Sequence, residues 1–227
     1  MSVEERAFDA LDGAARALAD ALASTLCEAQ SARGLASLVV SGGRTPRHVF
    51  QWLRQKKVDW ARVTVTLTDE RWVAPSHPDS NEGLVRSFLL RGPAEAATFV
   101  ALYGGEISPE AGQTACEARL KAITRPFDAV YLGLGGDGHF ASLFPEDPAL
   151  DVQDRICVAV PGTDTRQPRV TLTAPAILDA REVFLMFSGA EKHAAYAEAK
   201  RAGSHRHIPL RLILQQERTP VRVLHAR

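Results

Sequence analysis

Residues 35–46 read LASLVVSGGRTP, and this stretch decides the fold. Leu35 to Val40 is a short apolar run, the signature of a strand buried on both faces. It breaks off at Ser41-Gly42-Gly43. Thr45 and Pro46 then open a helix to about Lys57, with Thr45 expected as N-cap and Pro46 at the first helical position. Strand, glycine turn and helix form the first part of a βα unit.

The same unit recurs along the chain. Val63 to Leu67 (VTVTL) is a β-branched strand, followed by a polar loop from Asp69 to Asn81 and a short helix to about Leu90. Phe127 to Leu134 (FDAVYLGL) is an apolar strand that runs into the glycines of residues 133–138. Val183 to Phe187 (VFLMF) is another, ending at Ser188-Gly189 before a helix from about Ala190 to Lys200. Weaker strand signals lie at Phe99–Leu102, Ile156–Val160, Val170–Leu172 and Val221–Leu224. Further helices are expected at Pro109–Thr124 and Pro209–Gln216. The first thirty residues read as one helix, with Leu11, Ala15, Leu18, Leu22 and Leu26 on one face and Gly34 at its end. This alternation predicts an α/β layered fold, a mainly parallel sheet flanked by helices, with residues 1–227 as a single domain. Ligands of such sheets sit beyond the carboxyl ends of the strands, where the three glycine turns fall.

The composition narrows the function classes. Apolar residues make up 45% of the 227 and charged residues 24%, as in an ordinary globular protein. Twenty-seven basic residues balance 27 acidic ones, so no basic excess points to nucleic acid, and any attraction for an anion must be local. No apolar run approaches the length of a membrane span. The start, MSVEERAFDALDG, is too acidic for a signal peptide. Cys27, Cys116 and Cys157 lie far apart, without metal or redox spacing, which suits reduced thiols in the cytoplasm.

Four segments can carry chemistry. Ser41, Gly42, Gly43, Arg44 and Thr45 bring backbone amides, hydroxyls and a helix N-terminus together, and a phosphate would fit. The Lys-Ser/Thr ending of a P-loop is absent, and the same residues also suit an ordinary βα turn. Asp69-Glu70-Arg71 puts a carboxylate pair beside a cation at a strand end, either a general base with an anion clamp or a surface ion-pair cluster. In Gly133–His139 (GLGGDGH), Asp137 lies two residues from His139, whose imidazole suits proton transfer near neutral pH. The G-x-G-x-x-G match there is a weak dinucleotide signal, because Val158 stands near the place of the required acid, with Asp154 a poor second, and Pro145 stops any long helix. Arg169 opens a strand. Lys192 lies in the first turn of a helix, where the helix dipole disfavours a cation unless an anion sits in front of it. No G-x-S-x-G elbow occurs, and Ser142 reads as a turn residue.

Taken together, SGGRTP, TDERWVAPSHPDSN, LGLGGDGHFASLFP and RVTLTAPAILDAREVFLMFSGAEKHAAY resemble the 6-phosphogluconolactonase family, in order and spacing, from about residue 35 to residue 200. The resemblance implies a modified Rossmann-type fold shared with glucosamine-6-phosphate deaminases, and hydrolysis of 6-phospho-D-glucono-1,5-lactone without metal or organic cofactor. It implies that Ser41, Gly42, Gly43 and Thr45 cradle the phosphate while Arg169 and Lys192 supply charge. Asp69, Asp137 and His139 would surround the sugar ring. Arg44 and Arg71 would either reach the ligand or point elsewhere. The implied partner is a small phosphorylated lactone, not nucleic acid or membrane, for a cytoplasmic monomer or weak homo-oligomer. Two rivals share the fold. A deaminase of this kind would carry an Asn-Glu-Pro-like acid after the D-G-H turn, where this chain has Ser142-Leu143-Phe144-Pro145. A non-catalytic sugar-phosphate-binding protein would have no need of both Asp137 and His139.

Overall fold

A computed structural model describes residues 3–227. Ten strands and seven helices alternate along it: β1 (Val3–Phe8), α1 (Leu11–Arg33), β2 (Ala36–Val40), α2 (Arg44–Leu53), β3 (Val63–Leu67), β4 (Asp69–Arg71), α3 (Asn81–Phe88), β5 (Thr98–Phe99), α4 (Pro109–Lys121), β6 (Ala129–Leu132), β7 (Cys157–Val160), β8 (Arg169–Leu172), α5 (Ala174–Leu178), β9 (Val183–Ser188), α6 (Ala190–Ala199), α7 (Arg211–Leu214) and β10 (Val221–Ala226).

Seven strands form one sheet in the order β1-β10-β9-β6-β2-β3-β5. Every pairing in it is parallel. A second, antiparallel sheet of β4, β8 and β7 stands beside it. The parallel strands read as unbroken apolar runs because helices cover them. Every residue of β2 and β6 is buried, and α1 lies across β2, β6, β9 and β10 with α2 alongside. Leu18, Leu22 and Leu26 of α1 are fully buried in that contact. Gly34 ends the helix in left-handed backbone (φ 80°), its amide donating to the Gln30 carbonyl.

Three expectations need correction. The first thirty residues are not one helix, because Val3–Phe8 forms an edge strand pairing with β10. Its side chains are mostly exposed, and the charges of VEERAF that protect a sheet edge erase the apolar alternation that signals a strand. The N-cap of α2 is Gly43, not Thr45, so Pro46 lies inside the first turn rather than at its start. The polar loop after β3 opens with a strand of the second sheet, β4, whose partner β8 lies far along the chain.

The chain leaves β2 towards β3 on one side and the sheet continues through β6 on the other, so the order reverses between β2 and β6. This is the switch point where open α/β sheets leave a crevice at their carboxyl ends. At the opposite end of the same strands, the buried Asp128 carboxylate accepts from the Ser37 amide (2.8 Å) and hydroxyl (3.2 Å) and pairs with Arg33 and Arg181. It ties β2, β6 and α1 together. Asp128→Ala should lower unfolding free energy by roughly 1–3 kcal/mol, the cost of orphaning buried donors, since both arginines are exposed enough to rehydrate. Urea denaturation would read the change, and a loss under about 0.5 kcal/mol would contradict the clamp.

Candidate active site

Pinning of the switch point makes the site. The Ser41 amide donates to the Tyr131 carbonyl (3.1 Å), and the Gly133 amide donates to Ser41 Oγ (3.3 Å). The ends of β2 and β6 are thereby held side by side. Beyond them lies a cavity of about 250 Å³. Ser41, Gly42, Gly43, Arg44, Thr45, Asp69, Arg71, His139, Arg169 and Lys192 all line it, gathered from distant parts of the chain. Asp137 does not line it and reaches it through His139.

Two helices open at this cavity without capping side chains. α2 begins after Gly43 (φ 104°) and α6 after Gly189 (φ 100°). By contrast, Ser80, Ser108 and Thr173 cap α3, α4 and α5. The left-handed backbone at both glycines is one that a side chain would strain. It leaves the first amides of α2 free for an anion. Lys192, in the first turn of α6, makes no ion pair among the described residues. Burial, reinforced by the nearby Arg44 charge, holds its ammonium below the usual lysine range. Arg44 and Lys192 thus line one cavity beside a helix N-terminus, a local concentration of positive charge in a chain of zero net charge.

On another wall, Arg71 and Arg169 are register partners across β4 and β8. Each has a buried Nε without a hydrogen-bond partner among the described residues. Arg71 Nη1 donates to the Asp79 carbonyl (2.5 Å). Arg169 Nη1 donates to Ser142 Oγ (3.3 Å) and lies 3.7 Å from Asp69 Oδ2. Burial and the charges of Arg71 and Arg166 pull the Arg169 guanidinium down, opposed by Asp69.

The Asp137–His139 pair has a defined polarity. His139 Nδ1 lies 2.6 Å from Asp137 Oδ1. An ionised carboxylate only accepts, so Nδ1 carries the proton and Nε2 is the free acceptor of the neutral ring. Burial pushes the Asp137 carboxyl up, but the imidazole and the His139 amide (3.1 Å) outweigh it and hold the group below its usual range. The glycines around the pair are forced: a Cβ on Gly135 would lie 2.1 Å from His139 Nδ1. Phe144 packs against the imidazole with ring centroids 4.6 Å apart.

Several polar residues join the site without any mark in the sequence. Ser142 is fully buried and donates to Asp69 Oδ2 (2.5 Å). Asn81 lines the cavity and its Nδ2 donates to the Asp69 carbonyl (2.9 Å). Glu70 faces away from the cavity. Its carboxylate gathers the amides of Arg71, Asn81 and Glu82 and the Ser80 hydroxyl, while burial pushes its pKa up to about 7 against those donors. No short-range pattern reveals such partners, since Asp69 and Ser142 are separated by 73 positions.

An all-parallel sheet, a glycine-capped helix N-terminus and an oriented imidazole at the switch point define the class: an α/β protein whose ligand site is built at strand ends. The family model described as glucosamine-6-phosphate isomerases/6-phosphogluconolactonase matches residues 9–222. A 6-phosphogluconolactonase of Rhizobium meliloti is 37% identical over 228 residues, covering 98% of both chains. One of Pseudomonas aeruginosa is 39% identical, covering 88% of this chain and 87% of its own. The crystal structure of a 6-phosphogluconolactonase from Shewanella baltica superposes with a TM-score of 0.96 at 40% identity, covering 100% of this chain and 98% of that one. The chain belongs to the glucosamine-6-phosphate isomerase/6-phosphogluconolactonase family.

The Gly42 position supplies a direct test of the packing. A Cβ there would fall 1.8 Å from Asn81 Oδ1. Gly42→Ala should destabilise the fold by about 1–3 kcal/mol through overpacking. The double variant with Asn81→Ala should be less destabilised than the sum of the singles. Strict additivity in denaturant titrations would contradict the contact.

Proposed function

We propose that this chain hydrolyses 6-phospho-D-glucono-1,5-lactone to 6-phospho-D-gluconate, the second step of the oxidative pentose phosphate pathway. The observation that carries the proposal is His139, held by Asp137, on one wall of a cavity whose other walls are an uncapped helix N-terminus and a cluster of cations. The names of the relatives agree with it. A phosphorylated lactone needs a dianion site at one end and proton handling at the other.

The phosphate sits over the amides of Gly42, Gly43, Arg44 and Thr45, with Lys192 and Arg169 supplying charge. Ser41 contributes by shaping the turn, because its amide is already committed to Tyr131. The lactone carbonyl C1 faces His139. A lactone is an activated ester, so water can attack it without a covalent intermediate. His139 Nε2 takes a proton from the water as its oxygen bonds to C1. The carbonyl electrons move to oxygen, and Arg71, which also lines the cavity, meets that oxyanion. When the intermediate collapses, the C1–ring oxygen bond breaks and the imidazolium returns the proton to the ring oxygen. One water is added and His139 ends as it began. Asp137 holds the tautomer and stabilises the imidazolium. Asp69, whose oxygens are both occupied by donors, acts as a fixed anion accepting from a sugar hydroxyl rather than as the proton carrier.

Asn-Glu-Pro-like acids are absent after the turn, where Ser142-Leu143-Phe144-Pro145 stands, which supports the lactonase over a deaminase.

His139→Ala should lower kcat by about 10²–10⁴-fold, the usual worth of general acid–base help, while 6-phosphogluconate still binds. Lys192→Ala and Arg169→Ala should instead raise KM at least about tenfold, the loss of a charge-assisted hydrogen bond. Lactone generated in situ at mildly acid pH, where spontaneous hydrolysis is slow, provides the assay. An unchanged kcat in His139→Ala would remove it from the mechanism, and an unchanged KM in both cation variants would move the phosphate elsewhere.

A pH signature follows from Lys192. Its ammonium titrates below the ordinary 10.5, so part of it is neutral at alkaline pH in the free protein. A bound phosphate favours the charged form and raises that pKa, so binding takes up protons in the window below 10.5. Calorimetry of 6-phosphogluconate binding in buffers of different ionisation enthalpy should show uptake at alkaline pH that disappears in Lys192→Ala. Proton release, or uptake independent of Lys192, would contradict the assignment.

A further inference from the structure

Thr68 lies between β3 and β4, is fully buried, and belongs to neither the cavity lining nor any chemistry assigned above. Every polar group it has is used. Its amide donates to the Val40 carbonyl of β2 (2.9 Å), and its carbonyl accepts from the Leu172 amide of β8 (2.8 Å). One residue therefore joins the end of the parallel sheet to the antiparallel one. Its hydroxyl donates to Asp69 Oδ1 (3.0 Å) and lies 3.0 Å from Ser41 Oγ.

The proton directions along this chain are determined. A carboxylate only accepts, so the Thr68 hydroxyl hydrogen points to Asp69. Thr68 Oγ1 can then only accept from Ser41, so the Ser41 hydrogen points to Thr68. Ser41 Oγ in turn accepts from the Gly133 amide (3.3 Å). A single polarised line runs from the end of β6, through the glycine turn of β2, to one oxygen of Asp69. The Ser142 hydroxyl holds the other oxygen (2.5 Å). Aligned bonds of this kind, buried from water, strengthen one another and fix the acceptor's orientation.

Resting on the lactonase reading of the site, we propose that Thr68 is a positioning residue: its hydroxyl transmits the geometry of the phosphate turn to Asp69, fixing the carboxylate for a sugar hydroxyl once the phosphate is seated. The ring end of the ligand is thereby aligned by the same strand end that grips its phosphate. Thr68 touches no ligand and acts through Asp69 alone.

The test compares Thr68→Val, which keeps the shape and removes the hydroxyl, with Thr68→Ser, which restores it, each in wild-type and Asp69→Ala backgrounds. Two quantities are read: kcat/KM for the lactone, and Kd for 6-phosphogluconate by calorimetry. Thr68→Val should cost about tenfold or more in both, as expected for a hydrogen bond to a charged group. Thr68→Ser should stay within about threefold of wild type, and the Thr68→Val penalty should collapse to under about twofold beside Asp69→Ala. A Thr68→Val protein indistinguishable from wild type would overturn the proposal. So would a penalty that persists undiminished beside Asp69→Ala, since general loosening of the sheet junction would not depend on the carboxylate. If Thr68→Val does not fold, Thr68→Ala removes the same hydroxyl without adding a methyl against Ser41, and the same outcomes apply. If wild-type protein binds 6-phosphogluconate but turns over no lactone, the lactonase reading fails while the binding arm still decides the role of Thr68.

Discussion

The hydrogen bonds that lock Ser41 between β2 and β6 are the constraint on which the rest of the molecule depends. At this point the sheet's connectivity reverses, and without a tie the two strand ends would be free to splay. With the tie, the turn after β2 and the turn after β6 meet at one crevice. Glycine is required where that turn approaches its neighbours, since even a methyl at position 42 would overlap Asn81. The cluster of cations at the start of α2 and the Asp137–His139 pair are thus two consequences of one junction.

Electrostatics at the junction is local and unbalanced. The overall charge is zero, yet Arg44 and Lys192 line one cavity, and Arg71 and Arg169 lie side by side. Partial burial penalises Lys192 and Arg169, and Asp69 offsets only Arg169. A dianion entering the cavity would relieve that penalty, so binding and pre-organisation would draw on the same free energy. The carboxylates are committed to protein donors. Asp137 is committed to the imidazole, Asp69 is held by hydroxyls, and Glu70 braces the start of α3 through backbone amides.

Much of this was legible in the sequence. The buried strands announce themselves as apolar runs, and the glycine turns mark where they end, because parallel strands under helices leave little room for ambiguity. The residues that the structure gathers around the cavity are those with chemistry at strand ends. What escaped detection has physical causes. β1 is an exposed edge whose charges hide its period. The helix start at Arg44 rather than after Thr45 reflects the unusual backbone that only Gly43 allows. Thr68, Asn81 and Ser142 take their roles from partners across two sheets, and a hydroxyl or amide in a polar stretch carries no sign of that. The three-strand sheet was hidden for the same reason, since β4 finds its partner β8 only far along the chain.

The central claim is one of orientation: phosphate at the start of α2, reacting carbon at the imidazole. A crystal structure of the protein with 6-phosphogluconate bound tests it most directly. The account predicts phosphate oxygens within hydrogen-bond reach of the Gly43 and Arg44 amides and of Lys192 Nζ, with the C1 carboxylate against His139 Nε2. A ligand lying the other way, with its carboxylate at the glycine turn and its phosphate beside His139, would contradict it.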